Sequence, residues 1–293
     1  MKTFASYHPA VLAAYFIGVL LISMFSLNPV AVALSLAGGI LFFAAVSRAR
    51  EFFGSLAFYA CLFMLIALTN PLFNDGGVTP LFFLNGRPVT CEAIAYGMAA
   101  SGMLISVMFW CKCCTLVMTP DKFVYLFGKV IPKLSLVLSM ALRFIPMMKR
   151  QAGRIRAAQK SLGLYTDGRL TARLAGEMRV FGALLCWALE NAVETADAMK
   201  ARGYGLKGRS HFSLFVFRKR DVALLAVTAG IFVLALIGMH AGALRFAYYP
   251  AVTRLPAGPL SLLTYGLLAL WMLMPFIMES EEFLRWKYLR SRI

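Results

Sequence analysis

Apolar residues fall along this chain in blocks long enough to cross a bilayer, separated by short polar turns and one long polar, basic segment. A spanning helix needs about 20 apolar residues. Residues 10–27 provide one block, Asn28-Pro29 makes a turn, and 30–46 provide a second. Arg48, Arg50 and Glu51 break the pattern, and a third block covers about 54–71. A fourth begins near Thr90 and continues to about Met118, and two more lie near 221–240 and 259–278. The pattern predicts an all-α membrane protein of about six transmembrane helices. The run that follows Pro9 has no small-residue cleavage site with a soluble domain behind it, so it reads as a first span and not as a removed signal peptide.

The polar segment keeps helical periodicity. Thr119-Pro120-Asp121 opens a short helix over Lys122–Lys129, and Pro132 opens a longer one to about Leu162, stopped by Gly163. Pro146 should kink it, because proline removes one hydrogen bond and crowds the preceding turn. Thr171 opens another helix, which ends at Arg202 before Gly203. Leu174, Met178, Phe181, Leu185, Ala188, Ala192, Ala196 and Met199 recur at spacings of three or four and form one apolar stripe. Such a stripe packs on another helix, a membrane surface or a partner. The Pro132 helix is the simplest choice, since a short connection favours antiparallel neighbours.

Composition supports the membrane reading: 60% of the 293 residues are hydrophobic and 15% charged. The net charge of +17 raises the question of nucleic acid. But twenty of the 30 Lys and Arg fall between Lys112 and Arg220, in one block between apolar spans. That distribution reads as a retained cytoplasmic loop, with no nucleic-acid partner. With the N-terminus inside, 27 basic residues lie in inside segments, and only Arg87, Arg245 and Arg254 lie outside. The expected organisation is a transmembrane bundle over 1–118, a cytoplasmic helical domain over 119–220, and a transmembrane pair with a cytoplasmic tail over 221–293. Both termini are expected in the cytoplasm, with the chain multi-pass in the inner (plasma) membrane.

Several chemistries lack their residues. Cys111 and Cys114 form a C-x-x-C, but no second pair or nearby histidine completes a metal site, and small apolar packing explains them. There is no phosphate-binding G-x-x-x-x-G-K-[ST] loop, no H-E-x-x-H and no G-x-S-x-G. His8, His211 and His240 are far apart, and Glu92 and Asp221 sit at span edges. An ion-driven carrier would keep an ionisable group within a span. Neither catalytic residues nor a cofactor are expected, so any work must be powered by another protein. In the loop 70–90, Leu81–Leu84 and Arg87–Thr90 flank Asn85-Gly86, a hairpin signature, with Thr90 and Glu92 suited to start the fourth span. This loop reads as a structural cap on the bundle.

The two long helices of the basic segment end alike. Ala158, Lys160 and Gly163 repeat forty residues later as Ala198, Lys200 and Gly203. A last-turn cation suits the negative end of a helix dipole, and glycine permits the left-handed residue that stops it. Two such ends present paired tips to the cytoplasm, each able to enter a groove on a two-subunit partner. Arginine suits such a tip because its fork binds carboxylates bidentately and stays charged.

Taken together, Asn70-Pro-Leu-Phe-Asn74, Phe83-Leu-Asn-Gly86 with Thr90-Cys-Glu92, Met140-Ala-Leu-Arg-Phe-Ile-Pro146, Gln159-Lys160 and Ala201-Arg-Gly-Tyr-Gly205 resemble, in order, the transmembrane T component of energy-coupling factor (ECF) transporters. These are vitamin and metal importers of the ATP-binding cassette class. The resemblance implies two cytoplasmic coupling helices ending in Ala-Arg-Gly-like motifs that dock on a pair of ATPases, and a membrane part that grips a substrate-binding S component. By position, Arg202 is the docking arginine, flanked by Ala201 and Gly203. The first helix departs from the pattern: Ser161-Leu162-Gly163 stands where Ala-Arg-Gly is usual, leaving Lys160 or apolar packing to serve, so the tips should be unequal. The loop departs as well, with Asn74-Asp-Gly-Gly77 in place of a more basic stretch. Two other classes compete with this reading. An integral-membrane enzyme on lipid or isoprenoid would need clustered Asp, Glu or His, and none is present. A lipid-binding membrane protein with a basic lid is compatible with the juxtamembrane charge.

Overall fold

The computed structural model describes residues 4–74, 76–84, 87–128, 131–163, 170–206 and 215–290. Among them are nine α-helices and one two-stranded sheet. Met1–Thr119 with Phe215–Ile293 form one compact unit, and Pro120–Leu214 form a second.

The first unit holds α1 (Pro9–Phe25), α2 (Pro29–Val46), α3 (Ala49–Phe73), α4 (Cys91–Val117), α8 (Lys219–His240) and α9 (Pro259–Arg290). The last five are long and apolar enough to cross a membrane. At 17 residues α1 is shorter, at the low end of the spanning range of about 17–25 residues. The predicted spans differ from these helices mainly at two ends. α3 starts at Ala49, so Arg50 and Glu51 lie in its first turn, where a carboxylate favours the positive end of the dipole. α9 continues past 278 to Arg290, supported by charged pairs such as Arg285–Glu281 at 2.7 Å, which a hydropathy pattern does not register.

α2 packs against α4 and α9, α3 against α4, and α1 against α4 and α8. α1 is the protein-wrapped helix: Val11, Leu12, Tyr15, Phe16, Val19 and Ile22 are all buried. In a bilayer, helices associate through close packing and hydrogen bonds, since lipid is as apolar as their side chains. Both devices are present. A Cβ on Gly38 would stand 2.7 Å from the backbone oxygen of Met272, so only glycine allows α2 and α9 this approach. Ser35 Oγ links Ser23 Oγ at 2.6 Å to Ser106 Oγ at 2.5 Å, and the Trp110 indole donates to Ser35 O at 3.1 Å. Cys113, outside the C-x-x-C pair, is the buried cysteine here, while Cys111 is exposed.

Buried carboxylates hold the N-terminus. Asp221 accepts from Arg218 N at 2.8 Å and His8 N at 3.2 Å, and Glu279 accepts from Phe4 N at 3.4 Å. The predicted hairpin is present as β1 (Pro80–Leu84) antiparallel to β2 (Arg87–Thr90); its Asn85-Gly86 turn lies outside the described residues. The polar residues nearby serve the cap. Thr90 Oγ1 accepts from Ala93 N and donates to Gly76 O at 2.6 Å, Thr79 Oγ1 donates to Glu92 Oε2 at 2.8 Å, and Asn70 Nδ2 donates to Ala93 O at 2.9 Å.

The second unit holds α5 (Pro120–Gly128), α6 (Pro132–Ser161) and α7 (Leu170–Ala201). α5 packs on α6, with Ser135 Oγ donating to Val124 O at 3.0 Å. α6 runs as one helix through Pro146.

Candidate functional site: two glycine-capped helix ends

α6 and α7 are antiparallel. Phe144 stacks on Trp187 with centroids 5.8 Å apart, and Arg156 makes a bidentate pair with Glu177 at 3.0 and 2.7 Å. Residues advance on one helix as they recede on the other, which sets direction and register together.

The end of α7 is a complete Schellman turn. Gly203 has φ +77°, Gly203 N donates to Lys200 O at 2.9 Å, and Tyr204 N donates to Met199 O at 3.0 Å. Arg202 is the cap residue, its N–H given to Ala198 O at 3.2 Å. Its side chain is exposed and, among the described residues, has no carboxylate within ion-pair distance. Lys200 lies 3.8 Å from Asp197, but both are exposed, so this pair contributes little.

α6 also ends on a left-handed glycine. Gly163 has φ +72° and donates to Lys160 O at 3.1 Å, and Leu162, the cap residue, donates to Ala158 O at 3.2 Å. The Ser161 hydroxyl turns back to Ala158 O at 2.9 Å. Leu162 is 75% exposed. Leu162 and Arg202 thus hold equivalent backbone positions, one apolar and one cationic, as the repeat of forty residues implies.

Their placement follows from the antiparallel packing. In an antiparallel pair the two C-terminal ends point apart. From the Phe144–Trp187 contact, Ser161 lies 17 residues along α6 and Ala201 lies 14 residues along α7. At 1.5 Å per residue the tips are about 45 Å apart along the axes.

The apolar stripe of α7 is largely uncovered: Leu174, Met178, Phe181 and Leu185 are 50–68% exposed. Glu177 and Trp187 meet α6 on a face that also carries buried Gly176 and Val180, roughly 120° round the helix from the stripe. Met199, at the stripe's end, is half-buried, and its carbonyl closes the Schellman turn. Sequence periodicity finds an apolar stripe but cannot decide between two. Phe144, Trp187 and the Arg156–Glu177 pair, which do decide, are separated in sequence and carry no local signal.

The chain matches the CbiQ family, described as Cobalt transport protein, over residues 4–214. It is 32% identical over 183 residues to the energy-coupling factor transporter transmembrane protein EcfT of Listeria innocua, an alignment covering 57% of this chain and 69% of that protein. It is 26% identical over 192 residues to the EcfT of Staphylococcus aureus, covering 61% of this chain and 72% of the relative. With the EcfT of Heliobacterium modesticaldum it shares 33% identity over 121 residues, 41% of this chain and 44% of the other. A profile match over most of the chain, joined to an all-helical membrane bundle, places it in the CbiQ family, as the transmembrane component of an energy-coupling factor transporter.

Proposed function

We propose that this chain transmits force from two separate ATP-binding cassette ATPase subunits to a substrate-binding S component in the bilayer, for import of a vitamin or metal ion. The observation that carries this reading is the pair of equivalent caps at Leu162 and Arg202, both exposed and about 45 Å apart. One tip then engages each ATPase, and closure of the ATPases on ATP moves the ends of a stiff helical pair. The exposed stripe Leu174, Met178, Phe181 and Leu185 gives that pair an apolar face for a partner.

Orientation follows from charge. Placing the 27 basic residues inside and Arg87, Arg245 and Arg254 outside puts both termini and the segment 119–220 in the cytoplasm, beneath the plasma membrane. The six-helix unit then grips the S component, which selects the cargo. The chain itself contributes positioning and no chemistry. Affinity purification of the tagged chain from native membranes, with identification of what accompanies it, tests the assembly. ATPases and a small membrane protein are expected with it, and a chain recovered without ATPases contradicts the reading.

A further inference from the structure

The loop between α8 and α9 builds a cleft that coupling does not use. It lies where α1 turns into α2, at the membrane end opposite Arg48 and Arg50, and has a volume of about 560 Å3. Its frame is fixed. The Tyr248 hydroxyl donates to Leu27 O at 2.9 Å, Asn28 Nδ2 donates to Leu244 O at 3.4 Å, and Thr253 N donates to Ala247 O at 3.0 Å. Phe25, Met239, Leu244 and Phe246 provide apolar wall, and Arg245 and Arg254 provide charge.

Two observations together point to an anion. Residues 241–258 contain two arginines and no Asp or Glu. Among the described residues neither Arg245 nor Arg254 has an ion-pair partner. Both line the one cleft, and arginine matches phosphate oxygens in pairs. The absence of a carboxylate disfavours a ligand with a cationic group.

We propose that this cleft binds a phosphate-bearing anion, held by Arg245 and Arg254. A lipid phosphodiester and free phosphate share that chemistry. The apolar wall beside the membrane end of α1 and α8 favours the lipid, with its glycerol and first acyl carbons against Phe25 and Met239.

Native mass spectrometry of the full chain released from detergent tests this, with dioleoyl-phosphatidylglycerol and inorganic phosphate as separate probes. The wild-type chain should retain phosphatidylglycerol. The double variant Arg245→Gln, Arg254→Gln should lose it by about tenfold or more, given the usual strength of charged hydrogen bonds. Arg245→Lys with Arg254→Lys should keep most of the binding, which separates charge from folding. Retention by the Gln variant equal to wild type overturns the site. Displacement of the lipid by inorganic phosphate overturns the lipid assignment and makes a soluble anion the ligand.

Discussion

Trp187 of α7 lies flat on Phe144 of α6, the ring planes 8° apart. This stack, with the Arg156–Glu177 pair, sets how far Leu162 stands from Arg202. An aromatic pair contributes about 0.5–1.5 kcal/mol beyond the area it buries. The ion pair is about half exposed at both residues and contributes less, about 0–1 kcal/mol. Trp187→Ala should therefore broaden the distance distribution between spin labels at Ser161 and Arg202, measured by pulsed electron paramagnetic resonance. Glu177→Gln should leave it close to the unsubstituted protein. A narrow, unchanged distribution in Trp187→Ala would remove the register role from the stack.

The two capping glycines should respond unequally to alanine. Both have left-handed φ, which costs an L-residue about 1–2 kcal/mol. At Gly203 the new Cβ would also meet Leu206 Cδ1 at 3.0 Å, whereas at Gly163 nothing among the described residues lies within 4 Å. Gly203→Ala should fray the end of α7, seen as faster hydrogen exchange at Gly203 and Tyr204, and should weaken ATPase binding although Arg202 is intact. Gly163→Ala should show the smaller change. Equal effects would indicate that backbone strain alone matters.

In the membrane unit, Gly38→Ala puts a methyl group against the Met272 backbone, which cannot rotate away. Overpacking of this kind costs about 1–3 kcal/mol. The thermal aggregation midpoint of detergent-solubilised protein should fall. Among the described residues Gly230 has nothing within 4 Å of a new Cβ, so Gly230→Ala should match wild type or gain slightly. A loss at Gly230 and none at Gly38 would mean that α2 and α9 do not approach as described.

The spans were legible because each is an apolar block closed by Pro, Asn or charge, as at Asn28-Pro29. The caps at Gly163 and Gly203 were legible because a left-handed stop requires glycine and leaves a repeated spacing. What stayed hidden was tertiary. Nothing local tells that Trp187 and not Phe181 meets α6, since both lie in apolar stripes of one helix. The antiparallel direction, which sets the tips apart, was legible in the short connection after Gly163, but the register fixed by Phe144 and Glu177 was not. The continuation of α9 to Arg290 was hidden because charged pairs, not hydropathy, sustain it.

Arg202 offers the most direct test of coupling through unequal tips. The affinity of the purified ATPase pair for the reconstituted chain should fall about ten- to a hundredfold in Arg202→Ala, the range for a charged hydrogen bond of about 1.5–3 kcal/mol, while membrane insertion is unchanged. Leu162→Ala should lose less. Wild-type affinity in Arg202→Ala, or a larger loss at Leu162, would contradict the account.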